Sequence, residues 1–234
     1  MFKRFVEARK MEGLVIFGSS NILSDLFDCA MANRLPIAHI VTHLPEPEGA
    51  RSLPLAQRLA ALARHGSHPS VIALDDFEPA PGQHYLLGPT TPARRLLAGE
   101  LARRFALRYT TLVHPTAYVS PLAAIGEGCY IGANSVIAPG ACLHEHVFVN
   151  RGVTIGHDTE IGGFSRVQPG SNLGALSHIG SGVTVGIGAT VIERLVIGDG
   201  AFIGAGAVVT ADVPDEVLVV GVPAAIKRHL ARVA

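Results

Sequence analysis

The pair His157–Asp158 is the part of the sequence best suited to move a proton. A neutral imidazole can take a proton from an amine or a hydroxyl group near pH 7. The neighbouring carboxylate of Asp158 can orient the ring and stabilise its cationic form. The chain contains 11 histidines, so an exposed histidine that does no chemistry is the alternative interpretation of the same pair.

A second candidate site lies near the start of the chain, where Gly18, Ser19 and Ser20 follow the apolar run Leu14–Phe17. Apolar residues at helical spacing come directly after this loop. A loop that leaves a strand and enters the N-terminus of a helix can bind an anion through its backbone N–H groups. The alternative is a plain strand-to-helix turn.

The first half of the chain alternates strand and helix signals, which predicts a small parallel α/β domain. Thr91 is a plausible cap for the last helix, with Pro92 at its first position. The strand candidates are Leu14–Phe17, Ile37–Val41, Val71–Leu74 and Tyr85–Leu87, and the helix candidates are Ile22–Ala30, Leu53–Arg64 and Pro92–Phe105.

From Val113 onward the sequence repeats with a period of six. Every sixth residue up to Val209 is Val, Ile or Leu, and no insertion breaks the register. The series is Val113, Val119, Ile125, Ile131, Ile137, Leu143, Val149, Ile155, Ile161, Val167, Leu173, Ile179, Val185, Val191, Ile197, Ile203 and Val209. The residue two positions earlier is nearly always small, and glycine often follows the aliphatic residue directly, where it would allow a tight corner.

Each hexad therefore predicts one short strand plus a turn, with the aliphatic side chain in a narrow core. Three hexads would close one triangular coil of 18 residues, and successive coils would stack at about 4.8 Å. Residues 18 positions apart then become neighbours, so Asn150 lies beside Gln168 and Ala175 lies one coil above His157. We expect an N-terminal α/β domain over residues 1–108 and a parallel β-helix over 109–234.

Composition excludes several classes of protein. Charged residues make up 16% and hydrophobic residues 48% of the chain, which excludes general disorder. The formal net charge is zero, so nucleic acids and anionic membranes are poor candidate partners. The charged N-terminal segment lacks the apolar stretch of a signal peptide, and the longest apolar run is too short to span a bilayer. With three cysteines and no CxxC spacing, a cytoplasmic location without disulfides is expected.

The repeat pattern resembles that of hexapeptide acyltransferases, which fold as left-handed β-helices. The resemblance is closer to sugar O- or N-acetyltransferases of the NeuD/PglD type, which join a Rossmann-like domain to such a helix. It covers almost the whole chain. The matching segments are Leu14–Gly18, His114–Ala117, Val149–Asn150, Ile155–Asp158 and Gly221–Ala224.

This resemblance implies acetyl transfer from acetyl-CoA to an amino or hydroxyl group of a sugar, with direct attack on the thioester. His157 would be the general base, with Asp158 beside it, and Asn150 would position the acetyl group or the acceptor. The backbone N–H of Ala175 would bind the thioester oxygen. The N-terminal domain would hold a nucleotide-linked sugar near Gly18, Ser19 and Ser20. A homotrimer would carry CoA between its β-helices, with Arg194, Lys227 and Arg228 as candidate contacts to CoA phosphates.

The chain departs from the family pattern at three places. Arg166 stands where the family often has a second histidine, nine residues after His157. The sequence therefore leaves open how the acceptor or the thioester is contacted at this position. Only Gly18 remains of the glycine-rich nucleotide loop. The acidic residues that often follow the second strand are replaced by Thr42–Pro45.

Two other functions fit parts of the sequence. A β-helix scaffold or binding protein would keep the aliphatic period without needing the His157–Asp158 pair. A zinc-dependent β-helix enzyme would need a pair of histidines five residues apart in the repeat region, which the sequence lacks. His144 and His146 could hold a metal only adventitiously, so no functional metal is expected.

Overall fold

The computed structural model describes residues 13–45 and 53–231. The N-terminal segment 1–12, on which the expectation of no signal peptide depends, lies outside these residues. In the described part of the chain, no helix is long and apolar enough to cross a bilayer.

The N-terminal domain contains a parallel four-stranded sheet with helices packed against it. Its elements are β1 (Gly13–Phe17), α1 (Leu23–Ala32), β2 (Ile37–Thr42), α2 (Leu55–Ala63), β3 (Ser70–Ala73), a short 3-10 helix (Leu74–Asp76), β4 (Gln83–Leu87) and α3 (Arg94–Arg104). The strand order β3-β2-β1-β4 places β1 at the centre, where its side chains are fully buried. This is the order found at the centre of doubly wound α/β folds.

The strands and helices of this domain lie close to their predicted positions, but the predicted start of α3 is wrong. The helix begins at Arg94, and no side chain caps its N-terminus. The residues before it form a turn, in which the carbonyl of Thr91 accepts the N–H of Arg94. Thr91 therefore acts through its backbone and not as the predicted side-chain cap.

The β-helix consists of two-residue strands separated by four-residue corners. The strands are β5 (Leu112–Val113), β6 (Tyr118–Val119), β7 (Ala124–Ile125), β8 (Tyr130–Ile131), β9 (Val136–Ile137), β10 (Cys142–Leu143), β11 (Phe148–Val149), β12 (Thr154–Ile155), β13 (Glu160–Ile161), β14 (Arg166–Val167), β15 (Asn172–Leu173), β16 (His178–Ile179), β17 (Thr184–Val185), β18 (Thr190–Val191), β19 (Val196–Ile197), β20 (Phe202–Ile203) and β21 (Val208–Val209). A final hairpin is formed by β22 (Val217–Val220) and β23 (Ala225–His229). Every strand from β5 to β21 ends on the aliphatic residue that the period of six predicts.

Within the described residues these strands form three parallel sheets, which are the three faces of a prism. The first face runs β5-β8-β11-β14-β17-β20-β22 and ends with antiparallel β23. The second face runs β6-β9-β12-β15-β18-β21, and the third runs β7-β10-β13-β16-β19. From β5 to β21, partners in adjacent strands are 18 residues apart, as in Val149↔Val167, so one coil contains 18 residues. The last step, from β20 to β22, is two residues shorter, as in Phe202↔Leu218. Together with the hexapeptide repeat, this arrangement fits a left-handed β-helix.

The narrow core also contains hydroxyl groups, and each has a specific partner. The hydroxyl of Ser135 donates to the carbonyl of Asn150, and Ser165 and Ser171 donate in the same way to carbonyls 15 residues further on. These bonds satisfy backbone oxygens of the next coil. The small polar residues of the repeat thus connect adjacent coils while leaving room for the aliphatic side chains.

Glycine after the aliphatic residue has a different role from the predicted one. A Cβ added to Gly156 would lie 2.5 Å from the nitrogen of Ala175 in the next coil, and one added to Gly132 would lie 2.7 Å from the nitrogen of Arg151. Glycine is therefore needed for close stacking of coils. The positive φ that the corner requires falls two residues later, as at Asp158 (55°) and Gly140 (73°).

The N-terminal domain packs on the first face of the β-helix. Tyr130 and Phe148 stack with their ring centroids 4.8 Å apart on this face and belong to the same core as residues of α1. Side-chain contacts reach both edges of the face, because Arg151 pairs with Asp25 at 3.0 Å on one edge and Arg94 inserts at the other. The opposite corner of the prism, between the second and third faces, stays outside this junction.

Candidate active site

The corner between the second and third faces brings together four of the predicted site residues. His157 and Asp158 lie on one coil, Ala175 on the next and Arg194 on the one after it. Backbone bonds fix this stack, because the N–H of Leu176 donates to the carbonyl of His157 at 2.9 Å and Arg194 N–H donates to Ala175 at 3.0 Å. The position of each side chain along the corner is thus set by the coil that carries it.

The His157–Asp158 pair has the geometry expected of an oriented base. Nδ1 of His157 lies 2.8 Å from Oδ2 of Asp158, and the side chains are 57% and 58% exposed. A carboxylate accepts hydrogen bonds, so Nδ1 is the donor and the lone pair of the neutral ring lies on Nε2. The φ of 55° at Asp158 turns its side chain beside that of its neighbour. The ring therefore presents an available base to solvent.

The backbone of Ala175 offers a hydrogen-bond donor one coil above His157. Among the described residues, no acceptor receives its N–H. Other corner residues share this feature, so its place next to His157 is what distinguishes Ala175. An N–H group held by a rigid coil can stabilise negative charge on a carbonyl oxygen.

Asn150 lies on a different corner, between the first and second faces. Its side chain is buried, with Oδ1 accepting the N–H of Arg151 at 2.8 Å and Nδ2 donating to Oε1 of Gln168 at 3.4 Å. The predicted contact between Asn150 and Gln168 is therefore confirmed. Strand β12 separates Asn150 from His157, so one chain does not bring these two side chains to the same corner.

Arg166 points outward from the first face, on the side that carries the N-terminal domain. Its Nε donates to Oγ1 of Thr184 at 3.0 Å, and burial lowers its pKa. The structure thus places Arg166 near the N-terminal domain and away from the corner of His157. Lys227 and Arg228 lie on exposed β23, at the end of the same face, and are also separate from that corner.

The loop after β1 lies in the crevice at the carboxyl edge of the four-stranded sheet. The N–H of Gly18 donates to Val41 at 2.7 Å, and the hydroxyl of Ser20 donates to the carbonyl of Gly88 at 2.8 Å. A Cβ on Gly18 would lie 2.8 Å from the ring of His43. The chain order reverses between β1 and β4, and such a switch point is the usual ligand-binding position in open α/β sheets. Ser19 is half-buried in this loop.

The junction of the two domains contains a buried cation that sequence reasoning missed. Arg94 donates to the carbonyls of Thr90 and Thr91 in its own domain, and to those of His146 and Ser165 in the β-helix. Burial, reinforced by the positive charge of Arg166, lowers its pKa to about 9.

His146 lies in the same junction, stacked on Phe164 with ring centroids 4.8 Å apart. Burial first, and then the charge of Arg94, lower its pKa to about 4. The imidazole is therefore neutral at pH 7. His146 and Phe164 are 18 residues apart, so the period of six is the signal that could have predicted their contact.

Acidic and imidazole groups also meet on the third face. Glu160 contacts Nε2 of His144 at 2.7 Å and Nδ1 of His178 at 3.2 Å, and these hydrogen bonds lower the pKa of the carboxyl group. Over the described ranges, no group of three His, Cys, Asp or Glu side chains has an arrangement that could hold a metal ion.

Comparison with known proteins adds a family and several structural relatives. Residues 176–211 match the family described as bacterial transferase hexapeptide (six repeats). No curated protein sequence matches the chain. PerB from Caulobacter crescentus, solved with CoA and GDP-perosamine, is 28% identical with a TM-score of 0.74, covering 92% of this chain and 97% of that one.

Two further structures have the same architecture. The acetyltransferase domain of PglB from Neisseria gonorrhoeae is 27% identical with a TM-score of 0.76, covering 92% of this chain and 98% of that one. WeeI from Acinetobacter baumannii, at 23% identity and a TM-score of 0.68 over 92% and 99% of the two chains, shows the shared fold. In its repeats and its fold, the chain is therefore similar to hexapeptide-repeat sugar N-acetyltransferases of the NeuD/PglD type.

Proposed function

We propose that this protein transfers an acetyl group from acetyl-CoA to the amino group of a nucleotide-linked sugar. The observation that carries the proposal is the half-exposed His157, whose Nδ1 is bonded to Asp158 while Nε2 is available as a base. PerB was solved with CoA and GDP-perosamine, and the PglB domain was also solved with acetyl-CoA. These complexes support a CoA thioester as donor and an amino sugar on a nucleotide as acceptor.

In the proposed reaction, the amine attacks the carbonyl carbon of the thioester directly. A C–N bond forms, the tetrahedral intermediate collapses, and the C–S bond breaks to release CoA. Nε2 of His157 takes the proton that the attacking nitrogen loses. The imidazolium then gives a proton to the thiolate of CoA, which leaves as the free thiol and restores the neutral base. Asp158 stabilises the imidazolium that forms, and the N–H of Ala175 stabilises the oxyanion. Perosamine N-acetyltransferase from Caulobacter crescentus was also solved with CoA and GDP-perosamine after replacement of one histidine by Asn or Ala, which supports the proposal of a histidine in the reaction.

The N-terminal domain is proposed to be Rossmann-like and to hold the nucleotide. Support comes from its strand order and from the crevice beside Gly18, Ser19 and Ser20. That domain covers the first face of the β-helix, whereas His157 lies on the corner opposite this face. An acceptor bound to the domain of one chain would therefore reach His157 of another chain.

A homotrimer satisfies this requirement by closed cyclic symmetry. CoA would then lie between adjacent β-helices, where Arg194 extends the corner of His157 and the exposed Lys227 and Arg228 offer further cations. Asn150, which lies on the corner nearer the N-terminal domain, would position the acceptor from the other side of the interface.

Release of free CoA thiol tests the proposed function. The protein is mixed with acetyl-CoA and with each member of a panel of UDP- and GDP-linked amino sugars, their hydroxyl analogues and the free sugars. We expect thiol release with at least one nucleotide-linked amino sugar, and mass spectrometry should show acetyl gained on nitrogen. Release with none of the acceptors would contradict the proposal, and release with hydroxyl analogues alone would replace N-acetylation by O-acetylation.

A further inference from the structure

Three arginines converge where helix α3 meets the β-helix. Arg94 and Arg95 lie at the start of α3, and Arg166 lies on β14. Arg94 reaches the carbonyl of Ser165, the residue before Arg166, and Arg95 lies against Gly182, two residues before Thr184. Their charges are thus gathered over two adjacent coils.

This cluster has no acidic partner. Among residues 13–45 and 53–231, no carboxylate lies within 4.0 Å of any of these three guanidinium groups. Charged groups withdrawn from water normally pair with an opposite charge, because an unpaired charge in a poorly hydrated position is costly. We therefore ask, for each of the three guanidinium groups, which hydrogen-bond acceptors compensate its charge.

The protein itself supplies the hydrogen-bond acceptors of Arg94. Its guanidinium donates to four backbone carbonyls, of Thr90, Thr91, His146 and Ser165. These oxygens solvate the charge and join the two domains. Arg94 thus has a structural role that needs no ligand.

Arg166 and Arg95 each have hydrogen-bond donors that no acceptor within the described residues receives. Arg166 uses only Nε, which donates to Thr184, so its two terminal nitrogens have no protein partner in the described part of the chain. Nε of Arg95 is buried and also has no partner there. Both side chains are only half-buried, so a ligand can reach them from solvent.

We propose that Arg166 and Arg95 form a binding position for a phosphate oxyanion at the junction of the two domains. Guanidinium groups bind phosphate oxygens through paired, charge-assisted hydrogen bonds, and a phosphate supplies the negative charge that the cluster lacks. The ligand is the diphosphate of the nucleotide-linked acceptor. That assignment rests on the proposed function, whereas the phosphate position itself does not.

The path of the chain connects this position to the crevice of the N-terminal domain. Gly88, which accepts the hydroxyl of Ser20, follows β4 at the carboxyl edge of the sheet. The same loop continues directly into α3 and places Arg95 on the β-helix. A nucleotide in the crevice would therefore point its phosphates along this loop toward Arg95 and Arg166.

Calorimetric titration of the full-length protein tests the proposal with four probes, inorganic pyrophosphate, UDP, GDP and CoA. The wild type is compared with Arg166→Gln, Arg95→Gln and Arg166→Lys, and with Arg103→Gln as a control on an exposed arginine of the same helix. We expect Arg166→Gln and Arg95→Gln to raise the Kd for pyrophosphate by about tenfold or more. Arg166→Lys should keep part of the affinity, and Arg103→Gln should keep all of it.

The nucleotide and CoA titrations distinguish the two sources of phosphate. Weaker binding of UDP or GDP with unchanged CoA binding supports the acceptor diphosphate, and the reverse pattern assigns the position to CoA and overturns that assignment. Absence of pyrophosphate binding in the wild type, or equal Kd values in the wild type and both glutamine variants, overturns the phosphate position. Circular dichroism verifies that each variant is folded. If Arg166→Gln does not fold, the Kd values of Arg95→Gln and Arg166→Lys for pyrophosphate test the phosphate position in its place. Thiol release by the wild type is measured in parallel, so that failure of this proposal and failure of the proposed acetyl transfer are separable.

Discussion

Nδ1 of His157 donates a hydrogen bond of 2.8 Å to Oδ2 of Asp158, the next residue in the chain. Such a bond between neighbours is possible because Asp158 has a φ of 55°, which places both side chains on the same side of the corner. Both side chains are more exposed than buried, so neither contributes to the core of the β-helix. The pair can therefore be changed without loss of the fold.

Replacement of His157 by alanine tests the general base. We expect kcat to fall by at least ~10²-fold, because the lost proton transfer belongs to the transition state. The affinity for acetyl-CoA and the melting temperature should stay close to those of the wild type. Steady-state thiol release and calorimetry with CoA measure these quantities, and near-normal turnover with the true acceptor would remove His157 from the mechanism.

Replacement of Asp158 by asparagine tests the orientation of the ring. Asparagine tolerates a positive φ, so the corner should keep its shape. The amide removes the negative charge that stabilises the imidazolium, and we expect kcat to fall by about tenfold, less than in His157→Ala. A loss equal to that of His157→Ala would show that Asp158 does more than orient the base.

Replacement of Arg94 by methionine tests the junction between the domains. The substitution leaves the carbonyl of His146 without a donor and removes one of the two donors of Ser165, whose oxygen also accepts the N–H of Phe148. We therefore expect the free energy of unfolding to fall by about 1–3 kcal/mol. Arg103→Met, on an exposed part of the same helix, should change it by less than about 0.5 kcal/mol. Urea denaturation followed by circular dichroism measures both, and equal midpoints for the two variants would argue against a structural role for Arg94.

Replacement of His146 by asparagine tests the effect of acid on stability. In the unfolded chain this histidine binds a proton below about pH 6.5, whereas in the folded protein it does so only near a pKa of about 4. The unfolded state therefore binds more protons in this window, and the free energy of unfolding falls as the pH is lowered from about 6.5 to 4, by at most about 1.4 kcal/mol per pH unit from this residue.

The His146→Asn variant should lose this part of the pH dependence. Asparagine suits the φ of 54° at this position, and Asn134 occupies the equivalent corner position two hexads earlier with a φ of 57°. Denaturation curves across this pH range should show a smaller slope for the variant, and His65→Asn, at an exposed residue, should keep the slope of the wild type. Equal slopes for wild type and His146→Asn would mean that His146 binds its proton over the same pH range in the folded and the unfolded protein.

Replacement of Gly156 by alanine tests the stacking of coils at the candidate site. The added Cβ would lie 2.5 Å from the nitrogen of Ala175, so the coils must separate, and we expect a loss of stability of about 1–3 kcal/mol. Gly99→Ala, in the middle of α3 with only the end of Arg103 nearby, should stabilise the protein by about 0.5–1 kcal/mol. A wild-type melting temperature for Gly156→Ala would show that the coils adjust without cost.

The β-helix could be predicted in detail because its contacts are periodic. Each aliphatic residue of the series packs against residues 6 and 18 positions away, so the register of the strands follows from the sequence alone. The expectation that the β-helix is left-handed came from the resemblance to hexapeptide acyltransferases. The reason for the glycines did not follow from the sequence, because the close approach of Gly156 to Ala175 appears only when two coils are stacked in three dimensions.

The candidate site was predictable only in part. His157 and Asp158 are adjacent, and Ala175 and Arg194 follow from the period of 18, so their shared corner could be foreseen. The contact of Arg94 with His146 joins residues 52 positions apart in different domains, and it depends on how the domains pack. No local pattern contains that information, and the same applies to the position of Arg166 beneath the N-terminal domain.

Stacking of identical coils also limits how the specificity of such an enzyme can change. Along the prism axis, side chains are available only at intervals of one strand spacing, about 4.8 Å. Arg194 stands two coils from Asp158, and no small adjustment of the backbone can place it at an intermediate distance. A new ligand must therefore be accommodated by exchanging the side chain at an existing position. Insertion of a single residue into a coil would shift every later side chain to the wrong face.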